Sequence, residues 1–251
     1  MSGVTIKSQR EIELMRNAGR LLAEVHNRLG EEIAPGMSTY DLDRLGEELI
    51  RKTDSIPSFL GYEGYPASVC VSINDEVVHG IPRKDRIIRD GDIVSLDIGL
   101  IHQGYNSDAA RTHAVGNVSR EALDLINVTR ESFFEGIKFA KAGNHLHDIS
   151  NAIGYYCIER GYGVVRDLVG HGIGQEMHES PQIPNYPQKR KGILLVPGMT
   201  LAIEPMINIG RGDVTFSKTD GWTVTTEDGS LSAHYENTIL ITEGEPEILS
   251  L

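Results

Sequence analysis

The chain has 251 residues, 39% of them hydrophobic and 24% charged, so it can bury roughly three quarters of its unfolded surface and needs no staples to fold. That composition excludes a disordered tail, a collagen-like repeat and a coiled-coil rod, and a net charge of −12 with no basic cluster denser than Lys189, Arg190 and Lys191 excludes specific nucleic-acid binding or an anionic membrane surface as the main business. Two cysteines, Cys70 and Cys157, make no disulfide framework, the first ten residues hold no signal-peptide core, and no run reaches the roughly 20 apolar residues of a membrane helix; a reducing, cytoplasmic setting is expected.

In chain order, Ser8 followed three residues later by Glu11 is a capping-box pattern, and Ile12, Met15, Leu22, Val25 and Leu29 then recur at helical spacing. Pro35-Gly36 ends that helix. Ser38 or Thr39 caps a second one with Leu42, Leu45 and Leu49 on one face. From residue 69 the pattern changes: 69–73 and 93–98 read as strands, and Gln103-Gly104 as a hairpin turn. Residues 119–141 and 148–160 read as helices, and 201–209, 222–226 and 236–242 as strands. The order of helix, helix, strands therefore occurs twice. Gly36, Asp41, Gly91 and Asp97 each have a counterpart 107 residues later, at Gly143, Asp148, Gly198 and Glu204. His79-Gly80-Ile81 matches His171-Gly172-Ile173 at the different offset of 92. We expect one domain over 1–251 built from two pseudo-repeated halves, about 1–118 and 119–251.

The chemistry sits at the ends and centres of these strands. Alternation puts Val94, Leu96 and Ile98 on one face and Asp97 on the other with Ser95. Asp is disfavoured in strands, so a carboxylate inside such an apolar run points to a cleft or a metal, or to a solvated outer face. Asp108 lies beyond the hairpin turn, where strands about 5 Å apart let two carboxylates on one face share a cation. His171 is framed by Gly170, Gly172 and Gly174, which permits close backbone approach and unusual dihedrals, and His178 follows. Glu204, before Pro205, is the repeat partner of Asp97, and Glu236 enters an apolar final strand. Taken alone, Asp97 and Asp108 read equally as solvated acids, and Glu204 and Glu236 read better as ion-paired or solvated acids than as ligands. Four carboxylates with one imidazole match two divalent cations and a bridging hydroxide, and that ligand set favours Mn, Fe, Co or Zn over a thiolate-type centre.

Asp97, Asp108, His171, Glu204 and Glu236 in this order, with His79 and His178, resemble the type I methionine aminopeptidases. So do the strings Gly61 to Pro66, Asn74 to Pro82, Gly170 to Gly174, Pro197 to Thr200, Ile203 to Met206 and Asp220 to Trp222. The likeness runs from about Ile12 to Leu249 and looks like the short bacterial-type form. It implies an α+β pseudo-twofold pita-bread fold, a curved and mainly antiparallel sheet with helices on its outer face. The implied reaction is removal of the N-terminal methionine from nascent proteins and peptides by a metal-bridging hydroxide.

Carried over by position, Asp97 binds one metal, Asp108 and Glu236 bridge both, and His171 and Glu204 hold the second. Glu204 is also the implied proton carrier. His79 and His178 contact the substrate and its tetrahedral intermediate, and Tyr62, Tyr65, Cys70 and Trp222 line the methionine pocket. The sequence departs from many relatives at Phe59, Gly99, Leu168 and Met177; Met177 can still line a thioether pocket. Asn74, Glu76 and Ser232 match a monovalent-cation site. A cytoplasmic monomer in transient contact with the ribosome is the implied context. Rival readings are a proline-directed peptidase of the same fold, a binding module that has lost its metals, and a two-metal phosphatase, which the lack of basic residues near the acids argues against.

Overall fold

The computed structural model describes residues 3–251. Helix α1 (Gln9–Glu32) starts where the capping box predicts: Glu11 N–H donates to Ser8 Oγ, and Glu11 Oε2 accepts from Ser8 N–H at 2.7 Å. Of the two candidate caps for α2 (Thr39–Lys52), Ser38 takes the position and Asp41 reciprocates. Its buried stripe is Leu42, Gly46 and Ile50, with Leu45 and Leu49 flanking it half-buried. Helix α3 (Arg120–Ile137) is capped by Ser119. Helix α4 (Leu146–Ile158) begins two residues before the predicted start, because Asp148 serves as its third residue and accepts His145 N–H at 2.8 Å.

Every ladder between the strands is antiparallel. The first sheet holds β1 (Ile56–Pro57), β2 (Val69–Ile73), β4 (Ile93–His102) and β5 (Tyr105–Ala114), with β4 paired to the other three. A small sheet joins β3 (Glu76–Val78), β11 (Val214–Phe216) and β12 (Val224–Thr226), and another joins β6 (Gly163–Val164), β10 (Met206–Asn208) and β13 (Ser232–His234). The last runs β15 (Glu247–Ile248), β14 (Asn237–Leu240), β9 (Thr200–Ile203), β7 (Gly170–Gly172) and β8 (Glu179–Ile183). The stretch 201–209, expected as one strand, is split: β9 ends before Glu204-Pro205 and β10 begins after it, in a different sheet. Proline has no N–H for the ladder and so marks the crossing.

Two apolar cores lie between helices and sheets. Leu22, Val25 and Leu29 of α1 and Leu42 and Ile50 of α2 meet Val71, Val94, Leu96 and Ile98. Phe133 of α3 and Ile149 and Ile153 of α4 meet Leu201, Ile203 and Ile239. The side of β4 opposite Val94, Leu96 and Ile98 is the one that carries Asp97. This is the α+β pita-bread arrangement with helices outside.

The sheets are stitched where β5 runs beside residues 234–238. Ala110 and Glu236 exchange N–H···O bonds at 3.4 and 2.9 Å. On one side of them Thr112 Oγ1 donates to the His234 carbonyl and accepts its N–H. On the other, Thr238 Oγ1 does the same for Asp108, at 2.9 and 3.0 Å. Hydroxyls thus stand in for ladder partners, and Asp108 and Glu236 are fixed side by side. Thr238→Val keeps the shape but strips Asp108 of buried partners. It should lower the unfolding free energy by roughly 1–3 kcal/mol, measured by urea denaturation; a loss too small to resolve would mean that the stitch is not needed.

Candidate active site

The β4–β5 hairpin turns through Gln103 and Gly104 at φ of 50° and 85°, the left-handed pair of a tight two-residue turn. The turn sets a register in which Asp97 faces Ala110 and Gly99 faces Asp108. Asp97 and Asp108 are therefore diagonal neighbours on one face. Cys70 of β2 sits directly across from Asp97 on the other side. Glu236 enters from the stitched edge, and Glu204 from the end of β9 just before Pro205. His171 is on a short strand, opposite Ala202 of β9. Its glycine frame serves close approach only: a Cβ at Gly170 would stand 2.4 Å from the Ala202 carbonyl, and one at Gly172 2.3 Å from that of Ser180.

These groups meet in one cavity of about 160 Å³, well below the roughly 300 Å³ where drug-sized pockets begin. Its polar end holds Asp97, Asp108, His171, Glu204 and Glu236, with His79 and His178 beside them. Its apolar end is Phe59, Tyr62, Tyr65, Cys70, Met177 and Trp222, and Glu63 joins at the wall. Every residue given a catalytic, divalent-metal or methionine-pocket role in the sequence lines it, whereas Asn74, Glu76 and Ser232, matched to a monovalent cation, do not. Trp222 packs edge-on to Tyr65 at 5.2 Å and to His79 at 6.1 Å.

Burial and mutual repulsion set the electrostatics. Removal from water, with the charge of Asp108 second, holds the Asp97 carboxyl well above its ordinary range. Burial alone pushes Asp108 up to about 8. Glu204 and Glu236 rise for the same two reasons, burial first and neighbouring carboxylates next. Desolvation pushes His79, His171 and His178 down to about 4, so all three rings are neutral. The 3.7 Å approaches of His171 Nε2 to Asp108 and Glu204 are thus not ion pairs. His171 Nδ1 lies 2.8 Å from the Gly172 carbonyl. A carbonyl only accepts, so Nδ1 carries the proton and Nε2 presents a bare lone pair to the acids.

The residues fit a divalent metal. Asp97 Oδ1, Asp108 Oδ1 and Glu236 Oε1 are buried with no hydrogen-bond partner. Ligand atoms of Asp108, His171 and Glu236 lie within 4.8 Å of one another, the one such cluster among the described residues. Deprotonated oxygens and a neutral imidazole are what such ions require.

Some features escaped the sequence. His234 is fully buried with Nε2 3.7 Å from Glu204 Oε2; counting back two from Glu236 along the alternation would have found it. Asp43 accepts from Ser68 N–H and Val69 N–H at 2.8 and 3.0 Å, fixing the start of the strand that carries Cys70. His79 sits at φ 58°, a left-handed conformation that bulky residues rarely adopt. Gly80 after it packs on β2, its carbonyl accepting from Val71 N–H at 3.0 Å and from the Tyr65 hydroxyl at 2.9 Å.

The departures Phe59 and Gly99 explain each other. A Cβ at Gly99 would stand 2.8 Å from the Phe59 ring and 3.0 Å from Ser58 Cβ, so the ring occupies the room a side chain at 99 would take. Gly99→Thr should cost about 1–3 kcal/mol of stability through overpacking, and Phe59→Cys in the same chain should recover at least half. Urea unfolding of Gly99→Thr, Phe59→Cys and the double variant checks this; strictly additive losses would refute the compensation.

Comparison with known proteins agrees with this geometry. The profile of Metallopeptidase family M24 matches residues 13–243. The methionine aminopeptidase of Clostridium acetobutylicum is 55% identical over 248 residues, 99% of each chain. The crystal structure of methionine aminopeptidase from Rickettsia prowazekii superposes with a TM-score of 0.97 at 41% identity, covering 99% of this chain and 100% of that one. That from Thermotoga maritima gives 0.96 at 45% identity, covering 98% and 99%. The chain belongs to metallopeptidase family M24, among its methionine aminopeptidases.

Proposed function

We propose that the cavity takes the N-terminal methionine of a peptide or nascent polypeptide and that the chain hydrolyses the bond after it. The observation that carries this is the convergence, in one small cavity, of four carboxylates, two of them buried (Asp108 and Glu236) and two partly buried (Asp97 and Glu204), and a bare imidazole at one end with an apolar wall sized for one side chain at the other. Asp97, Asp108 and Glu236 would hold one divalent ion; His171 and Glu204, with Asp108 and Glu236 shared, would hold a second. Co, Mn, Fe or Zn suits that donor set. When bound, the ions supply Lewis acidity to the water nucleophile and to the scissile carbonyl, as in two-metal aminopeptidases generally.

The chain's own groups do the rest. Phe59, Tyr62, Tyr65, Cys70, Met177 and Trp222 accept the thioether side chain and exclude water from it. A free α-amine is complementary to the acidic end, which an acylated terminus is not. Glu204 starts the step ionised; burial raises its proton affinity, which suits it to take a proton from the attacking water and pass it to the leaving amine. The Tyr62 hydroxyl is 2.7 Å from His178 Nδ1. A phenol donating to Nδ1 leaves His178 Nε2 as the N–H that faces the developing oxyanion, and His79 is the second donor to the substrate carbonyl or amide.

The two pseudo-repeated halves, 1–118 and 119–251, are supported by matching bonds at the earlier offset of 107. Gly36 N–H to Ile88 O is matched by Gly143 N–H to Leu195 O, and the Ser38–Ile87 bridge by His145–Leu194. Asn74 and Ser232, joined by Ser232 N–H to Asn74 O, flank the monovalent-cation site we propose with Glu76. The cytoplasm, with transient ribosome contact as a monomer, is the proposed setting; two buried, unpaired cysteines suit it. Among the described residues no helix is long and apolar enough to cross a membrane.

The reaction is tested with Met-Ala-Ser. Chelation should abolish cleavage and Mn, Co or Fe should restore it, Met should outrun Leu at the first position, and N-acetyl-Met-Ala-Ser should resist. Rapid cleavage of the acetylated peptide, or full activity in metal-free protein, would overturn the reading.

For His178, a donor role predicts a different outcome from a ligand role. His178→Ala should keep its full metal content by mass spectrometry and lose about two orders of magnitude in kcat. A variant short of one metal equivalent would make His178 a ligand instead, and an undiminished kcat would remove it from the mechanism.

A further inference from the structure

Residues 174–178 carry two of the groups assigned above, Met177 of the apolar wall and His178. This segment is a turn between β7 and β8, not part of a ladder, so something else must fix it. On one side β5 does: Asn106 N–H donates to the Gly174 carbonyl at 2.8 Å, and Asn106 Nδ2 donates to the carbonyls of Gly174 and Gln175. On the other side lies the segment before α1. Val4 bridges Ser180, and Lys7 N–H donates to the Gly198 carbonyl at 2.8 Å. The Lys7 ammonium then reaches Glu179 Oε2 at 2.5 Å, with the two side chains only 5% and 10% exposed.

Lys7 Nζ also donates to Thr5 Oγ1, and Thr5 Oγ1 to Glu179 Oε2. The pair sits directly over the turn, since a Cβ at Gly174 would stand 2.4 Å from Glu179 Oε1 and 2.7 Å from Lys7 Nζ. A surface ion pair would be worth little, but a buried one with further hydrogen bonds holds its partners in one geometry, and breaking it leaves a stranded charge. Glu179 directly follows His178 in the chain.

We infer that Lys7 is a positioning residue: through Glu179 it clasps the turn 174–178 from outside and so sets His178 and Met177 against the substrate. The inference rests on the roles assigned to those two residues. A displacement of about 1 Å in a catalytic group can cost on the order of a hundredfold in rate, so a clasp remote from the reacting atoms still registers in kcat.

The test uses the full-length, metal-loaded enzyme carrying Lys7→Met, Lys7→Arg, and Lys7→Met in the His178→Ala background. Lys7→Met should retain its metal content, lose about tenfold in kcat on Met-Ala-Ser, and show a narrower preference for Met over Leu. Amide exchange over 174–178 should quicken, and Lys7→Arg should restore all three. In the His178→Ala background the kcat loss should shrink to less than about twofold, since groups acting as a unit are not additive. A full kcat with unchanged preference in Lys7→Met overturns the inference, as does a kcat loss undiminished in His178→Ala. Should Lys7→Met fail to fold, Thr5→Val, which removes one bond to Glu179, should show a smaller loss in the same readouts, and no loss there also overturns it. If His178→Ala alone leaves kcat intact, it is the role of His178 that fails, and the clasp stands or falls on the Met-over-Leu preference through Met177.

Discussion

Four carboxylates crowd one chamber, Asp108 and Glu236 buried and Asp97 and Glu204 partly so, and the fold is arranged around holding them together. Asp97, Asp108, Glu204 and Glu236 arrive on four separate stretches of backbone, and in the absence of countercharge the charge of Asp108 raises the cost of ionising the other three, with Asp97 adding to it at Glu204 and Glu236. No lysine or arginine lines the chamber to neutralise them. The half-buried Arg111 nearby turns its guanidinium instead to backbone carbonyls, the Asn237 amide oxygen and the face of Tyr235. Repulsion is resisted by backbone: the tight turn fixes Asp97 against Asp108, the threonine stitches fix Asp108 against Glu236, and the proline break fixes Glu204 at the end of β9.

The surrounding histidines follow the same logic. Desolvation by the surrounding protein keeps them neutral, although His178 stays open to solvent on one side, so they cannot serve as counterions, and at His171 and His178 the partner on one ring nitrogen sets the role of the other. His171 gives its proton to the Gly172 carbonyl and offers a lone pair inward. His178 meets the Tyr62 hydroxyl through Nδ1. Two imidazoles whose ring centroids are 4.3 Å apart are thereby cast in opposite parts, acceptor and donor. His79 pays for its place in strained backbone.

Much of this was legible in the sequence for a physical reason. The capping box at Ser8 is local, as is the strand alternation that puts Asp97 opposite Val94, Leu96 and Ile98, and local rules settled both; the second helix's cap narrowed only to Ser38 or Thr39, and the reciprocal bond with Asp41 selects Ser38. The two-residue turn at Gln103-Gly104 turned one local signal into a register. What stayed hidden depends on contacts remote in the chain: the stitching of β5 to residues 234–238, the exchange of bulk between Phe59 and Gly99, the hydrogen bond from Tyr62 to His178, and the Lys7–Glu179 clasp. The division of roles among the five ligand candidates came from the family likeness, because alternation alone says which face an acid is on and not what it holds. Very short strands such as β7 were missed because three residues carry no periodicity.

If these carboxylates are held for cations, the stability of the metal-free protein must depend on pH in a particular direction. Acids whose folded pKa lies above the unfolded values near 4 bind more protons folded than unfolded, so their contribution is full at low pH and is lost as pH rises through the folded pKa. Burial places Asp108 at about 8 and its three neighbours high as well. Urea unfolding of metal-free protein between pH 5 and 9 should therefore show stability falling by about 1 kcal/mol per pH unit or more. Saturating Mn should abolish or reverse that slope, because the ion binds the deprotonated set. A metal-free protein whose stability is flat across this range, or one indifferent to Mn at pH 8, would contradict the account.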